Sequence, residues 1–134
     1  MDYDKINGYL VDIFNNVVII EEASLKNSKF NDISLKEMHT IDVIGTHPDT
    51  TPSAVARELM LTLGTVTTSL NKLEKKGYII RTLSLSKKGR LVYCLHRAFH
   101  KSMVKTITEG FNDEELKVMS KGLENLHAFL EELK

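Results

Sequence analysis

The feature that most constrains this chain is a pair of short helix signatures between residues 51 and 77, followed at once by β-type residues. Thr51 stands as an N-cap with Pro52 at the first helical position, where the missing proline N–H has no intrahelical partner to lose. Val55, Ala56 and Leu59 then fall on one face, and the helix stops near Met60. Thr62 caps the next helix, whose inward positions are Val66, Leu70 and Leu73. Lys75 and Lys76 supply a basic last turn and Gly77 a stop. Tyr78, Ile79, Ile80 and Arg81 are β-type, and Leu83, Ser84 and Leu85 alternate like a second strand. Two helices, a tight turn and a hairpin in this order make a helix-turn-helix with a wing.

A recognition helix must lay its amino-terminal half in a major groove, so its outer face should be small and uncharged first and basic later. The outward positions are Gly64, Thr65, Thr67, Thr68 and Asn71, and then Lys72 and Lys75. Threonine can hydrogen-bond base edges and pack its methyl on a thymine methyl, and asparagine can pair with adenine through two hydrogen bonds. Gly64 leaves the backbone free to approach closely. These five are the candidate base contacts; Ser53, Thr62, Ser69, Lys72, Lys75 and Arg81 are the candidate phosphate contacts. The bland alternative is an ordinary helix with a solvated threonine face. Threonine is a mediocre helix former, so stability gives little reason for so many in one short helix.

The flanks are helical, which makes the expected fold mainly α. Ile6, Leu10, Ile13, Val17 and Ile20 recur in steps of three and four, so residues 3–22 read as an amphipathic helix. A polar stretch runs from Ser24 to Asp32, after which Ser34 caps a helix ending near Gly45. A long helix is expected from Lys87 to about Glu109, and a last one from Asp113 with Leu116, Met119, Leu123, Leu126, Leu130 and Leu133 on its stripe. A winged-helix lobe at 33–86 is too small to cover these stripes. The expectation is one domain over 1–134, with dimerisation helices at 1–32 and 87–134 and an interface drawn from Ile6, Ile13, Val17, Leu116, Leu123, Leu126 and Leu130. A twofold mate would set two recognition helices about 34 Å apart, to match a palindrome. An intramolecular helical bundle is the alternative.

The formal net charge of zero conceals a basic centre. Residues 1–56 carry four Lys/Arg against nine Asp/Glu, residues 57–101 ten against two, and residues 102–134 four against seven. A basic middle held between acidic ends suits a polyanionic partner. The single cysteine, Cys94, lies beside Leu91 and Leu95 and reads as a packed, inert thiol. An acidic amino terminus and an early apolar run of only Val17 to Ile20 argue against a signal peptide or membrane span, so a cytoplasmic protein is expected. No nucleophile elbow, phosphate-cradling loop or metalloprotease motif is present, which argues against an enzyme.

Taken together, Thr51-Pro52-Ser53-x-x-Ala56-x-x-Leu59, Thr62-x-x-x-Val66-Thr67-x-x-Leu70-x-x-Leu73-Glu74-x-x-Gly77-Tyr78-Ile79 and Leu85-Ser86-x-x-Gly89 resemble the MarR family over the whole chain. Within it, residues 34–42 and 63–70 resemble the repressors of bacterial fatty-acid-synthesis genes. That resemblance implies A/T-rich palindromic operators, a homodimer, and a fatty acyl chain on acyl carrier protein as corepressor. It also implies a ligand cleft between the dimerisation helices and the DNA-binding lobe, for which Leu10, Phe14, Met38, Ile41, Phe99 and Met103 are candidates. One departure concerns the wing, which in the family is a hairpin with a basic tip for the minor groove. Here Arg81 passes through Thr82 to Leu83 with no Gly, Asn or Asp to close a hairpin. Either the wing is lost or its tip is missing from the sequence near 82; the two retained strand stubs favour the second.

Two rivals remain. His96 and His100 lie four apart on one helix, and His39 and the pair Glu21-Glu22 could approach from others. Zinc-sensing members of the family use such positions, which makes a zinc-responsive regulator the alternative within the fold. Arg97 and Lys101 beside the histidines argue against a cation. The other rival is a helical protein-interaction module that never touches DNA.

Overall fold

The computed structural model describes residues 2–80 and 83–134. The described residues form six helices and one two-stranded antiparallel sheet: α1 (Tyr3–Lys26), α2 (Leu35–Thr46), α3 (Pro52–Leu59), α4 (Leu63–Lys75), β1 (Ile79–Ile80), β2 (Ser84–Leu85), α5 (Lys87–Thr108) and α6 (Asp113–Glu132). This is the mainly α winged-helix architecture expected from the sequence.

Each helix starts where a side chain can take an orphan amide. Ser34 accepts from the Glu37 N–H while the Glu37 carboxylate accepts from the Ser34 N–H, both at 3.1 Å, a reciprocal capping box. Thr51 caps α3 through the Ala54 N–H and Ser86 caps α5 through the Gly89 N–H. Asn112, one residue before the expected start, caps α6 in a second capping box with Glu115. The first helix runs four residues beyond its expected end, to Lys26, with Leu25 buried alongside Glu21 one turn earlier.

The core belongs to the lobe. Ile41, Val55, Leu73 and Tyr78 are fully enclosed, with Ile44 and Val66 nearly so. Gly77, at φ 85°, ends α4: the Tyr78 N–H reaches back to the Leu73 carbonyl at 2.9 Å. The hairpin is then pinned to α5. Ser86 N–H donates to the Tyr78 carbonyl, and a Cβ on Gly89 would stand 2.1 Å from that same oxygen, so only glycine fits there. In β1 and β2, Ile79 pairs with Leu85 and Ile80 with Ser84, so the two strand stubs do form a sheet. Arg81 and the suspected break near 82 lie outside the described residues.

The outer helices are built differently. No residue of α6 is buried, and Leu123, Phe129, Leu130 and Leu133 are exposed in the single chain. On α1, Ile6 and Ile13 are about half exposed while Val17 is half-buried; Leu116 and Leu126 of α6 are half-buried too. Cys94 corrects the expectation of a packed thiol: it is exposed, because Val92 and Tyr93 take the inward positions of α5 at that level. No helix among the described residues is long and apolar enough to cross a membrane.

Candidate nucleic-acid interface and effector cleft

The outer surface of α4 carries the residues nominated from its helical phase. Val66, Leu70 and Leu73 point into the core, which forces Gly64, Thr65, Thr67, Thr68, Asn71, Lys72 and Lys75 outward, and all seven are exposed. Ser69 is half-buried at the edge of this face, whereas Ser53 and Thr62 are exposed at the starts of α3 and α4. Thr62 Oγ1 accepts from the Thr65 N–H at 3.2 Å and lies 2.8 Å from Thr65 Oγ1. The cap and the first outward side chain are thus fixed against each other.

Charge on this face is sorted by hydrogen bonding. Lys72 and Lys75 face solvent, while the adjacent Lys76 is turned back to the Asp32 carbonyl at 2.5 Å and the Glu37 carboxylate at 3.3 Å. Lys88 lies 4.3 Å from the centre of the Tyr78 ring, whose hydroxyl donates to Asp32 Oδ1 at 2.5 Å. That hydrogen bond, with Lys88 and Lys76 nearby, holds the Asp32 carboxyl below its ordinary value. Burial and the Asp32 carboxylate push the Tyr78 phenol up. The hairpin, α4 and the approach to α2 are therefore one braced unit behind the outer face.

A second site lies where α1, α2 and α5 meet. An apolar cavity of about 250 Å³ is lined by Leu25, Phe30, Met38, Val92, Leu95 and Phe99, with Glu21, Ser24, Ser28 and His96 supplying polar atoms. Met38 and Phe99 were expected there. Ile41 instead sits in the lobe core, and Leu10, Phe14 and Met103 are not part of the lining. The residues that sequence reasoning missed come from the end of α1 and the segment after it. Leu25 and Phe30 both sit in the stretch from Ser24 to Asp32 that reads as polar.

Beside the cavity, five titratable groups converge. Glu21 is buried and contacts His96 Nε2, and Asp42 contacts His96 Nδ1. His100 Nε2 is 2.8 Å from His96 Nε2 and 3.7 Å from Glu21; His39 Nε2 is 3.8 Å from Glu21. Burial opposes charge on His96, but the two carboxylates outweigh it and its pKa is raised. Among the described residues, Glu21, His39 and His96 bring one donor atom each within 4.8 Å of one another. Glu22, the other half of the nominated pair, is exposed, and Arg97 is turned to the Tyr93 hydroxyl at 3.0 Å. Asp42 was missed, although it follows His39 by one helical turn.

The family model described as the MarR family matches residues 31–88. The chain is similar to Streptococcus pneumoniae FabT, solved in complex with DNA: 58% identity over 99% of this chain and 100% of that one, with a TM-score of 0.84. More distant likenesses extend to the fold alone. Staphylococcus aureus MepR, in a DNA complex, is 21% identical over 97% of this chain and 98% of that one, with a TM-score of 0.68. A MarR/EmrR family transcriptional regulator from Acinetobacter sp. ADP1 is 18% identical over 98% and 99%, with a TM-score of 0.66. No curated protein matches the chain.

Proposed function

The chain belongs to the MarR family of transcription regulators, and we propose that it is a homodimeric DNA-binding repressor of fatty-acid-synthesis genes, closed onto A/T-rich palindromes by a fatty acyl chain on acyl carrier protein. The observation that carries DNA binding is the outer face of α4, where an uncharged front of Gly64, Thr65, Thr68 and Asn71 gives way to Lys72 and Lys75. The 58% identity to a FabT solved on DNA supports the same reading. The dimer rests on the exposed apolar faces of α1 and α6, which a second copy would cover. Burial of each leucine-sized side chain there contributes about 1.5–3 kcal/mol.

The effector reading rests on the apolar cavity. Met38 belongs to the lobe, Leu25 to α1, and Val92, Leu95 and Phe99 to α5. An alkyl chain seated among them would bind only when the lobe and the outer helices hold one mutual arrangement. Such a ligand shifts the protein toward that arrangement by its differential affinity. The test is fluorescence anisotropy on an A/T-rich palindrome with acyl-acyl carrier protein, with the carrier lacking its acyl chain, and with neither. Tighter binding with the acylated carrier alone supports the corepressor; equal binding in all three removes it and leaves DNA recognition standing.

One observation favours a second effector, zinc. Glu21, His39 and His96 offer the oxygen and imidazole donors that zinc takes, His100 lies beside them at 3.7 Å from Glu21, and Asp42 would hold the far nitrogen of His96 in the way ligating histidines are oriented. Bound zinc would supply one fixed cation tying α1, α2 and α5 together. Because its two carboxylates favour the protonated imidazole of His96, zinc there would compete with a proton. Competition with a chromophoric chelator decides it. Zinc held by the wild type and lost from His96→Gln supports the site, and no competition by the wild type removes it.

A further inference from the structure

In the winged-helix lobe, the large apolar side chains exposed among the described residues are Met60, Leu63 and Ile80, and the first two flank the start of α4, the end that a winged helix turns toward DNA. Met60 and Leu63 bracket the turn between α3 and α4, at 65% and 51% exposed. The other exposed large apolar residues lie on α1, α5 and α6 or, for Phe111 and Leu133, just before and just after α6, where a second copy or an effector can cover them. A dimer leaves the α3–α4 turn uncovered, because α4 must stay free to enter a groove.

The backbone at this turn adds to the observation. Met60 takes φ 53°, ψ 45°, a left-handed conformation that glycine and asparagine adopt more cheaply. Its N–H and that of Leu61 close the end of α3, so the conformation is fixed and the methionine side chain is held outward. Leu63, the first residue of α4, is held by the Thr62 cap, one turn before the exposed Thr67. The apolar patch therefore lies at the amino-terminal end of α4, the end that a recognition helix leads into a groove, remote from Lys72 and Lys75.

A major groove offers one apolar feature, the 5-methyl group of thymine. We propose that Leu63, flanked by Met60, packs on a thymine methyl in each half-site and is a specificity-determining residue of the interface. This rests on the DNA-binding reading above. It explains an apolar side chain at a position where phosphate contact would call for a cation or a hydroxyl. It also predicts a preference for thymine over cytosine and uracil where Leu63 docks.

The experiment uses the wild-type chain to select duplexes from a random library, and then replaces each thymine of the selected duplex by deoxyuridine, which deletes only the methyl. At the Leu63 position the wild type loses about fourfold in affinity per half-site, the transfer value of one carbon. Leu63→Ala binds the thymine duplex more weakly and shows no further loss with deoxyuridine there. Met60→Ala, also at an exposed position, shows a smaller change at the same or the neighbouring base. If Leu63→Ala keeps the full response to deoxyuridine, or if the wild type is indifferent at every thymine of a duplex it retains, the proposal is overturned while DNA binding survives. If the wild type retains no duplex at all, both fall together.

Discussion

Thr62 and Thr65 hold their hydroxyl oxygens 2.8 Å apart at the start of α4, and the Thr65 N–H also donates to the Thr62 hydroxyl. One side chain thereby caps the recognition helix and orients the first threonine hydroxyl of its outer face. The two substitutions should separate. Thr65→Ala keeps the cap, so the fold is unchanged while specific binding weakens by about 1–3 kcal/mol and non-specific binding is spared. Thr62→Ala loses the cap and should lower stability by about 1 kcal/mol as well. Anisotropy on selected and scrambled duplexes, alongside urea denaturation, checks both. Equal loss on both duplexes for Thr65→Ala would remove it from the base contacts.

Lys72 and Lys75 face solvent, whereas Lys76 is occupied by Asp32 and Glu37. Alanine at Lys72 or Lys75 should weaken binding on every sequence and flatten the plot of log affinity against log salt. The slope should change by about 0.9 for every phosphate that the protein no longer neutralises, in each protomer. Lys76→Ala should leave the slope alone and lower stability instead. A slope change for Lys76→Ala equal to that of Lys72→Ala would contradict the assignment.

The Tyr78–Asp32 hydrogen bond braces the hairpin and gives a pH signature. Asp32 is depressed in the fold, so its contribution is present above the ordinary carboxylate range and is lost as pH falls through the lowered value. Tyr78 is raised, so its contribution is present below about 10, the unfolded phenol value, and is lost as pH climbs through the raised one. Tyr78→Phe should cost about 1 kcal/mol at neutral pH, the worth of an ordinary hydrogen bond and not the full worth of one to a charged group, because Asp32 is exposed. Urea midpoints of the two proteins should converge in acid. A constant gap from pH 7 to pH 2 would show that Asp32 is not the partner that matters.

Ile13 and Leu130 are about half exposed on α1 and α6, and the proposed homodimer depends on covering such positions. Ile13→Glu or Leu130→Glu should shift sedimentation from dimer toward monomer and weaken a full palindrome far more than a half-site. Dimers that persist at micromolar concentration for both variants would move the interface elsewhere.

Much of this molecule was legible in the sequence because its elements announce themselves locally. The caps Ser34, Thr51 and Thr62 and the stop at Gly77 are decided by neighbours within five residues, and the outer face of α4 follows from its 3.6-residue period. The cavity was less legible because it is assembled from separate helices. Phe30 entered it from a polar stretch, and Ile41 was expected at the cleft although its helical phase turns it into the core. The Asp42 contact to His96 likewise depends on how α2 crosses α5, which no local pattern encodes. Cys94 failed for a related reason: its neighbours Leu91 and Leu95 are themselves exposed in the single chain.

The most direct test of the account is the affinity of the protein for a selected A/T-rich palindrome between 50 mM and 200 mM salt, with a scrambled duplex alongside. The account predicts binding to the palindrome at least a thousandfold tighter than to the scrambled duplex, falling steeply with salt on both. Equal affinity for the two duplexes, or no dependence on salt, would contradict it.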